Sequence, residues 1–387
     1  MKKQTRIILY IISALALVAV VLAMIVAGRD RRGQEQPVSA NKNPVTETQT
    51  TEESEQVTEQ DTHIVTPETE IGQEAEATTL IFTGDMLFAN SFQLNYDNGG
   101  IEHVVSKDLI EELNAADITM VNEEFPFSTR GTQMPDKQYT FRTDPKYAGA
   151  LKELGVDVVT IANNHILDYG QDALSDTCQT LDDNGILYAG AGESVDRATE
   201  LQIIEVNGKK FGFLAASRVL PVEGWNVQNA APGVLSSYDP TLLLETIKTA
   251  DTQCDVLIVY VHWGVEHAST PENYQRTLAT QYVEAGADVV IGAHTHCLQG
   301  IEYVEGKPVF YSLGNFIFGS TIDQTMAVKM SVDADDEITC QLVGAKASGA
   351  LTSRMDALEQ QQLNEYIQQI SYGVTVGEDG IITNANK

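Results

Sequence analysis

A short apolar segment that ends in two histidines constrains this chain more than any other stretch. Residues 287–293 read ADVVIGA, and consecutive β-branched residues bounded by glycine are typical of a strand covered on both faces. Such strands belong to α/β sheets, in which ligands bind at the carboxyl ends of strands. His294 and His296 follow at i and i+2, and imidazole is the commonest protein ligand of transition metals. The stretch predicts an α/β fold with a metal site, although two polar loop histidines would look the same in isolation.

Other predicted strands also end in polar residues. Apolar runs at residues 79–83, 117–121, 156–161 and 256–261 are each predicted as strands. The polar side chains at their carboxyl ends are Asp85, Asn122, Glu124, Asn164, His165 and His262. Each has a structural alternative on its own, such as a helix cap or a turn. Together, carboxylate, amide and imidazole groups favour Zn, Mn or Fe over a thiolate site or a calcium cage.

Helical segments alternate with these strands, as in a parallel α/β sheet. Two turns, at residues 207–208 and 305–307, predict β-hairpins, the first because Asn-Gly supplies positive φ angles. The predicted helices cover residues 107–115, 148–154, 172–183, 241–250, 271–285 and 349–370.

The N-terminal part predicts an anchor and a tether. Residues 1–6 carry three basic side chains and are expected to form a short cytoplasmic N-terminus, and residues 7–27 are uncharged. At full helical length this run spans about 31 Å, the thickness of a bilayer core. A signal peptide is the competing interpretation, but the run is longer than the usual apolar region. Residues 28–78 are rich in Glu and Thr, and residues 33–78 lack aromatic residues, which predicts a disordered acidic linker.

The net charge excludes one class of partner. A formal charge of −31 and a pI of about 4.4 argue against nucleic acid, whose binding relies on clustered Lys and Arg. The four cysteines are widely spaced and include no CxxC pair. They leave open one or two disulfides or free buried thiols.

Six ordered blocks resemble a known family. The blocks are Thr83-Gly84-Asp85, NEEFP at 122–126, ANNHILDYG at 162–170, HWGVE at 262–266, GAHTH at 292–296 and YSLGNF at 311–316. This order is similar to the CapA family of capsule and poly-γ-glutamate synthesis proteins, and more distantly to the calcineurin-like metallophosphoesterases. The resemblance implies a metallophosphatase-like αββα sandwich with a central pair of sheets over residues 79–325. Residues 326–387 are expected to form a C-terminal extension packed on it.

The resemblance also implies residue roles. His165 is expected to contact the substrate and protonate the leaving group, and Asp168 to orient its imidazole. Expected substrate-binding residues are Asn122, Glu266 and Asn315. The expected metal ligands are Asp85, Glu124, Asn164, His262, His294 and His296.

The chain departs from the phosphoesterase pattern at one metal ligand. Where that fold has D-x-H, Asp85 is followed by Met86 and Leu87. The expectation is therefore one divalent transition-metal ion (Mn, Zn or Fe), or two held by an altered set.

Three functions remain open from the sequence. The first is a single-pass cell-membrane protein with an extracellular domain that acts in poly-γ-glutamate or capsule synthesis and export. Its expected partners are the anionic polymer, the membrane and membrane synthase subunits. The second is an extracellular metal-dependent hydrolase of a phosphodiester or amide, unrelated to capsule. The third is a non-catalytic scaffold of a polymer synthase complex.

Overall fold

The computed structural model describes residues 77–386. In this part of the chain, strands and helices build a mixed α/β fold with two large sheets and one small one. The fold class predicted from the sequence is confirmed at this level.

The strands range from two to eleven residues in length. They are β1 (Thr78–Met86), β2 (Ile118–Glu123), β3 (Val158–Thr160), β4 (Leu187–Ala189), β5 (Ala191–Gly192), β6 (Gln202–Val206), β7 (Lys209–Ser217), β8 (Gly233–Val234) and β9 (Val256–His262). The remaining strands are β10 (Val289–Ala293), β11 (Ile301–Val304), β12 (Lys307–Phe310), β13 (Asn315–Ile317), β14 (Ile322–Val332), β15 (Ile338–Ser348), β16 (Leu351–Arg354), β17 (Val374–Val376) and β18 (Ile381–Asn384).

The helices follow the predicted alternation with strands. They are α1 (Asn90–Gly99), α2 (Lys107–Asn114), α3 (Gly149–Glu153), α4 (Gln171–Asn184), α5 (Val195–Ala198), α6 (Thr241–Ala250), α7 (Asn273–Ala285) and α8 (Ala357–Ile370). Both α7 and α8 begin with a capping box, formed by Glu272 with Gln275 and by Asp356 with Glu359. These side chains satisfy backbone N–H groups that have no partner within the helix.

Each large sheet contains a parallel block. In the ten-stranded sheet the order is β17-β18-β15-β14-β1-β2-β3-β4, with β13 on β1 and β16 on β15, and β1 to β4 run parallel. In the six-stranded sheet the order is β11-β12-β10-β9-β7-β6, and β7, β9, β10 and β12 run parallel. Parallel strands end at the same edge of a sheet, so the residues that follow them lie close together at that edge.

The strand β9 shows how the sheets pack. Ile258 and Tyr260 belong to a core shared with β1, while Leu257 and Val259 belong to a second core with α6 and α7. This period-two alternation places one face of the six-stranded sheet against the ten-stranded sheet and the other against helices. The Tyr260 hydroxyl also donates a 2.8 Å hydrogen bond to the Thr83 carbonyl of β1. The carboxyl ends of the two sets of parallel strands, with the polar residues that follow them, therefore lie side by side.

The C-terminal residues differ from the sequence-based picture. Strand β14 spans the predicted boundary between residues 325 and 326, and pairs antiparallel with β1 inside the main sheet. The helix predicted over residues 349–370 was wrong in its first part, because Leu351–Arg354 forms β16. Gly349 has a φ of 64° and turns the chain, so that β16 can pair back onto β15.

Three predictions for the N-terminal part lie outside the described residues. These are the cytoplasmic N-terminus over residues 1–6, the anchor over residues 7–27 and, except for residues 77 and 78, the linker over residues 28–78; Thr78 already begins β1. Across residues 77–386, none of the helices combines the length and the apolar character that crossing a membrane requires.

Gly84 gives the fold a direct test. A Cβ atom there would lie 1.8 Å from the Gly314 carbonyl oxygen, which accepts the Asp85 N–H at 2.9 Å. We expect Gly84→Ala to force β1 and β13 apart and to lower the free energy of unfolding by about 1–3 kcal/mol. Gly149→Ala is the control, because no atom lies within 4 Å of a Cβ there. Urea denaturation measures both, and equal stability of the two variants would contradict this packing.

Candidate metal centre

Asp85 is the meeting point of the two sheets. It lies near the end of β1 and is fully buried. One oxygen accepts the Asn122 side-chain N–H at 2.7 Å, and the other accepts the His294 backbone N–H at 3.3 Å. The second oxygen is also 3.6 Å from His296 Nδ1. A single carboxylate thereby joins strand ends from both sheets.

Glu124 lies at the centre of the cluster. It is fully buried one residue beyond β2, and its Oε1 is 3.6 Å from His262 Nε2. Two groups of side chains each place their ligand atoms within 4.8 Å of one another: Glu124 with His262 and His294, and Glu124 with Asp85 and His296. Glu124 is the member that both groups share. These residues could hold one cation or two.

His294 and His296, which follow β10, occupy different parts of the cluster. His294 has a φ of 97° and His296 a φ of 56°, a backbone region that costs energy for residues other than glycine. The rings lie 5.9 Å apart, and each imidazole joins a different group around Glu124. The structure therefore assigns one histidine to each half of the cluster.

Asn164 and His262 complete the cluster. Asn164 follows β3 and His262 ends β9, and the Asn164 Oδ1 atom is 2.9 Å from His262 Nε2. The rings of His262 and His294 are 4.7 Å apart. All six side chains expected as ligands therefore meet at the joint edge of the two sheets.

The residues present fit a cation. Both Glu124 carboxylate oxygens and the His294 Nδ1 atom are buried, and none of these three atoms has a hydrogen-bond partner among the described residues. Leaving a buried polar atom without a partner costs free energy, and most buried polar atoms in proteins have a hydrogen-bond partner. A carboxylate, amide and imidazole donor set suits Zn, Mn or Fe. A divalent ion would supply the missing partner for these atoms.

Burial and local charge set the protonation of the cluster. Burial, together with the charge of Asp85, raises the pKa of Glu124 well above its usual value. Burial and the nearby His296 lower the pKa of His294 to about 4, which leaves its imidazole neutral and able to bind a metal. Burial would lower the pKa of His296, but the Asp85 and Glu124 carboxylates outweigh it and raise the pKa to about 10. The cluster thus favours positive charge beside its carboxylates.

His165 points toward the open side of the centre. Its Nδ1 atom lies 2.6 Å from Asp168 Oδ2, and Asp168 also accepts the Phe141 N–H at 2.7 Å. A carboxylate only accepts, so Nδ1 carries the proton and Nε2 is left free as an acceptor. Burial lowers the pKa of His165 despite the carboxylate beside it. The predicted pairing of His165 with Asp168 is present in the geometry.

Lys137 is a member of this site that sequence reasoning missed. Its ammonium group donates to Asp168 Oδ1 and to the Asn164 carbonyl, and lies 3.0 Å from His165 Nδ1. Only 14% of the side chain is exposed. Lys137 lies in the loop between β2 and α3, where no strand end or spacing marks it. Its position follows only from how this loop folds over the centre.

Asn122 occupies a different place from the one expected. The sequence assigned it to substrate, but the side chain is fully buried. Its Nδ2 donates to Asp85, and its Oδ1 accepts a 3.1 Å hydrogen bond from Asn163. Asn163 also donates to the Glu123 carbonyl and accepts the His165 backbone N–H. Asn122 and Asn163 therefore fix the ligands in place, and Asn122 is too enclosed to meet a substrate.

A cleft of about 880 Å³ opens beside the centre. His165 and His296 form part of its wall, together with the exposed Glu266. Asn315 is not in the wall, and its Oδ1 lies 2.8 Å from His296 Nδ1 and orients that ring. Of the three expected substrate-binding residues, only Glu266 faces the cleft.

The described cysteines take no part in the centre. Within residues 77–386 all four are free thiols, with Cys178 and Cys340 buried and Cys254 and Cys297 partly buried. Cys297, next to His296, contacts Thr295 at 3.7 Å.

The fold and the site together define a class: a mixed α/β protein with a buried cluster of carboxylates and imidazoles, able to hold a metal ion, where two sheets meet. The family model described as bacterial capsule synthesis protein PGA_cap matches residues 79–320. The chain belongs to this family, and the matched residues contain every member of the cluster.

Named relatives share part of their length with this chain. It is 31% identical over 240 residues to the PGA biosynthesis protein CapA of Bacillus subtilis (strain 168), and 30% identical over 252 residues to the capsule biosynthesis protein CapA of Bacillus anthracis. The matches cover 61% and 64% of this chain and 62% and 61% of the relatives, less than two thirds of their length. A hypothetical protein from Thermus thermophilus is structurally similar with a TM-score of 0.45 and 14% identity, covering 70% of this chain and 100% of that one.

Lys137 provides a test of the site's electrostatics. We expect Lys137→Met to lower the free energy of unfolding by about 3–5 kcal/mol, since it leaves the buried Asp168 carboxylate without its cation. Lys107→Met is the control, because Lys107 and Glu111 form a mostly exposed pair, with 73% and 68% of their side chains accessible. That variant should change stability by less than about 0.5 kcal/mol. Urea denaturation of both distinguishes the cases, and a Lys137 variant as stable as the control would show that the buried pair is unimportant.

Proposed function

We propose that this chain is a membrane-anchored protein of capsule or poly-γ-glutamate synthesis and export, and that its outward-facing domain acts on the polymer through the metal centre. The single observation that carries the proposal is the buried cluster around Glu124, in which the Glu124 oxygens and His294 Nδ1 have no partner among the described residues. It lies wholly within the residues that match the capsule synthesis family. The relatives named for PGA and capsule biosynthesis support the process.

The metal centre and the cleft would supply different parts of the chemistry. A bound divalent cation would supply Lewis-acid polarisation of a phosphoryl or acyl group. His165 lines the cleft beside the centre, and Asp168, which is itself held by Lys137, accepts the hydrogen bond from its Nδ1–H. The Nε2 atom of His165 is then directed to accept or return a proton at the reacting bond. The ion would be held by Asp85, Glu124, Asn164, His262, His294 and His296.

The sequence supports the proposed location. The uncharged run at residues 7–27 has the length of a membrane helix, and the acidic stretch after it would hold the domain away from the surface. An anionic polymer made at the membrane and exported would then pass the cleft. Synthase subunits in the same membrane are the proposed protein partners.

Metal content tests the centre. The full chain, purified from cells supplied with Mn²⁺ and Zn²⁺, should contain bound metal by inductively coupled plasma mass spectrometry. His294→Ala with His296→Ala removes one ligand from each half of the cluster and should lose the metal. Glu124→Gln should lose it as well, because it removes the carboxylate that both halves share.

His267→Asn is the matched control for metal content. His267 lies in the same cleft, 6.1 Å from the His296 ring, but belongs to neither group, and asparagine tolerates its positive φ of 63°. This variant should keep its metal. Metal-free wild-type protein under these conditions would reject a metal-dependent function and favour a scaffold.

Deletion of the gene in the source organism tests the process. We expect the amount or length of secreted γ-linked glutamate polymer to change, because the domain acts on that polymer. Restoring the wild-type gene or the His267→Asn gene should return the polymer to normal, and the His165→Ala gene should not, because its product lacks the proton-transferring imidazole.

Two outcomes of the deletion have separate meanings. If the polymer is unchanged while the protein binds metal, the capsule role is refuted and a hydrolase of another substrate remains. If His165→Ala restores the polymer as well as wild type does, His165 is not catalytic and the domain acts by binding.

A further inference from the structure

Arg142 is a cation in the wall of the cleft without an acidic partner among the described residues. Its guanidinium carbon lies 4.1 Å from the centre of the Tyr169 ring, and its Nη1 donates a 2.7 Å hydrogen bond to the Arg130 carbonyl. Apart from Arg142 and Arg218, every arginine in residues 77–386 pairs with a carboxylate. The chain has a net charge of −31, so such a cation beside the metal centre is a candidate binding group for an anionic ligand.

The geometry of Arg142 suits a carboxylate. Stacking on Tyr169 and the bond to the Arg130 carbonyl orient the guanidinium plane before any ligand arrives. The Nη2 and Nε groups have no acceptor among the described residues and remain available. A guanidinium fork binds a planar carboxylate through two parallel hydrogen bonds, and a fixed side chain loses less entropy on binding.

The rest of the cleft suits the backbone of a carboxylate-bearing chain. Phe141 and Phe318 are half-buried in the wall, and Tyr139 is 63% exposed. Such rings pack against methylene groups between charged positions. His165 and His296 lie in the same wall, so a chain held here passes the metal centre.

We propose that Arg142 is the specificity-determining residue of a carboxylate subsite, and that it binds a free α-carboxylate of a γ-linked glutamate chain next to the unit at the metal centre. This inference rests on the proposed function for the identity of the polymer. It assigns to Arg142 the selection of acidic over neutral chains.

The acidic wall residue Glu266 fits this arrangement. Its carboxylate would repel a second carboxylate, and it acts electrostatically on Lys137, at the His165 side of the cleft. The amide N–H groups of a γ-linked chain are donors that Glu266 can accept. Opposite charges at Arg142 and Glu266 would therefore set the register of the chain, with a carboxylate at the first residue and an amide near the second.

Binding of short oligomers tests the subsite. The full chain with Mn²⁺ is titrated by calorimetry with a γ-linked glutamate oligomer and with the same oligomer whose α-carboxylates are amidated. Arg142→Gln should weaken binding of the acidic oligomer about tenfold or more, since it removes a charged two-point contact. Arg142→Lys should recover part of the loss, because it restores the charge without the fork. Binding of the amidated oligomer should not change in either variant.

Arg218→Gln is the control for loss of a positive charge. Arg218 also lacks a carboxylate partner among the described residues, but it stacks on Tyr238 and Tyr274 and does not line the cleft. This variant should bind the acidic oligomer as wild type does. Inorganic phosphate and free glutamate are added separately as competitors. Displacement of the acidic oligomer by phosphate but not by free glutamate would assign the subsite to phosphate and overturn the proposal.

Two further results would overturn it: equal binding of the acidic oligomer by wild type and Arg142→Gln, or equal binding of the acidic and amidated oligomers by wild type. A wild-type protein that holds metal but binds neither oligomer also refutes the subsite. That last result leaves the metal content and the deletion phenotype to decide the proposed function separately.

Discussion

The burial of the Glu124 carboxylate is the constraint on which the rest of the site depends. A carboxylate enclosed without hydrogen-bond partners is unfavourable, and here neither oxygen has one among the described residues. The surrounding histidines and Asp85 are arranged at distances that suit a shared cation rather than direct hydrogen bonds to Glu124. The Glu124 oxygens therefore lack hydrogen-bond donors among the described residues, and a bound metal ion would supply their missing partner.

Two parallel blocks of strands, one from each sheet, make this arrangement achievable. The ten-stranded sheet delivers Asp85, Glu124 and Asn164, while the six-stranded sheet delivers His262 and the segment after β10. Neither sheet alone carries both carboxylates and the three imidazoles. The apolar core between the sheets, together with the hydrogen bond from Tyr260 to Thr83, fixes one set against the other. The site depends on the packing of the domain core and not on a local loop.

The structure brings together the six side chains that were expected as ligands, because each of them lies at or shortly after the end of a recognisable strand. Apolar, β-branched runs mark the strands, and parallel strands place their ends at one edge. Lys137 escaped prediction because it belongs to a long loop without periodicity. Asn122 was misassigned for a related reason: alternation along β2 gives the side of the strand, but not whether that side is open to a substrate or sealed by Asn163. The helix predicted through residues 349–370 began too early because pairing with β15 outweighed local helical preference.

The sequence by itself determined the mixed α/β fold class, the family and the polar side chains that follow the strand ends, because these depend on local patterns and on ordered motifs. Only the tertiary structure decided how the cluster is divided. It separated His294 from His296 through two left-handed backbone conformations, and made Glu124 the shared member. It also brought Lys137 to Asp168 and left Arg142 open in the cleft. Such relations depend on distances between segments far apart in the chain, which no local pattern encodes.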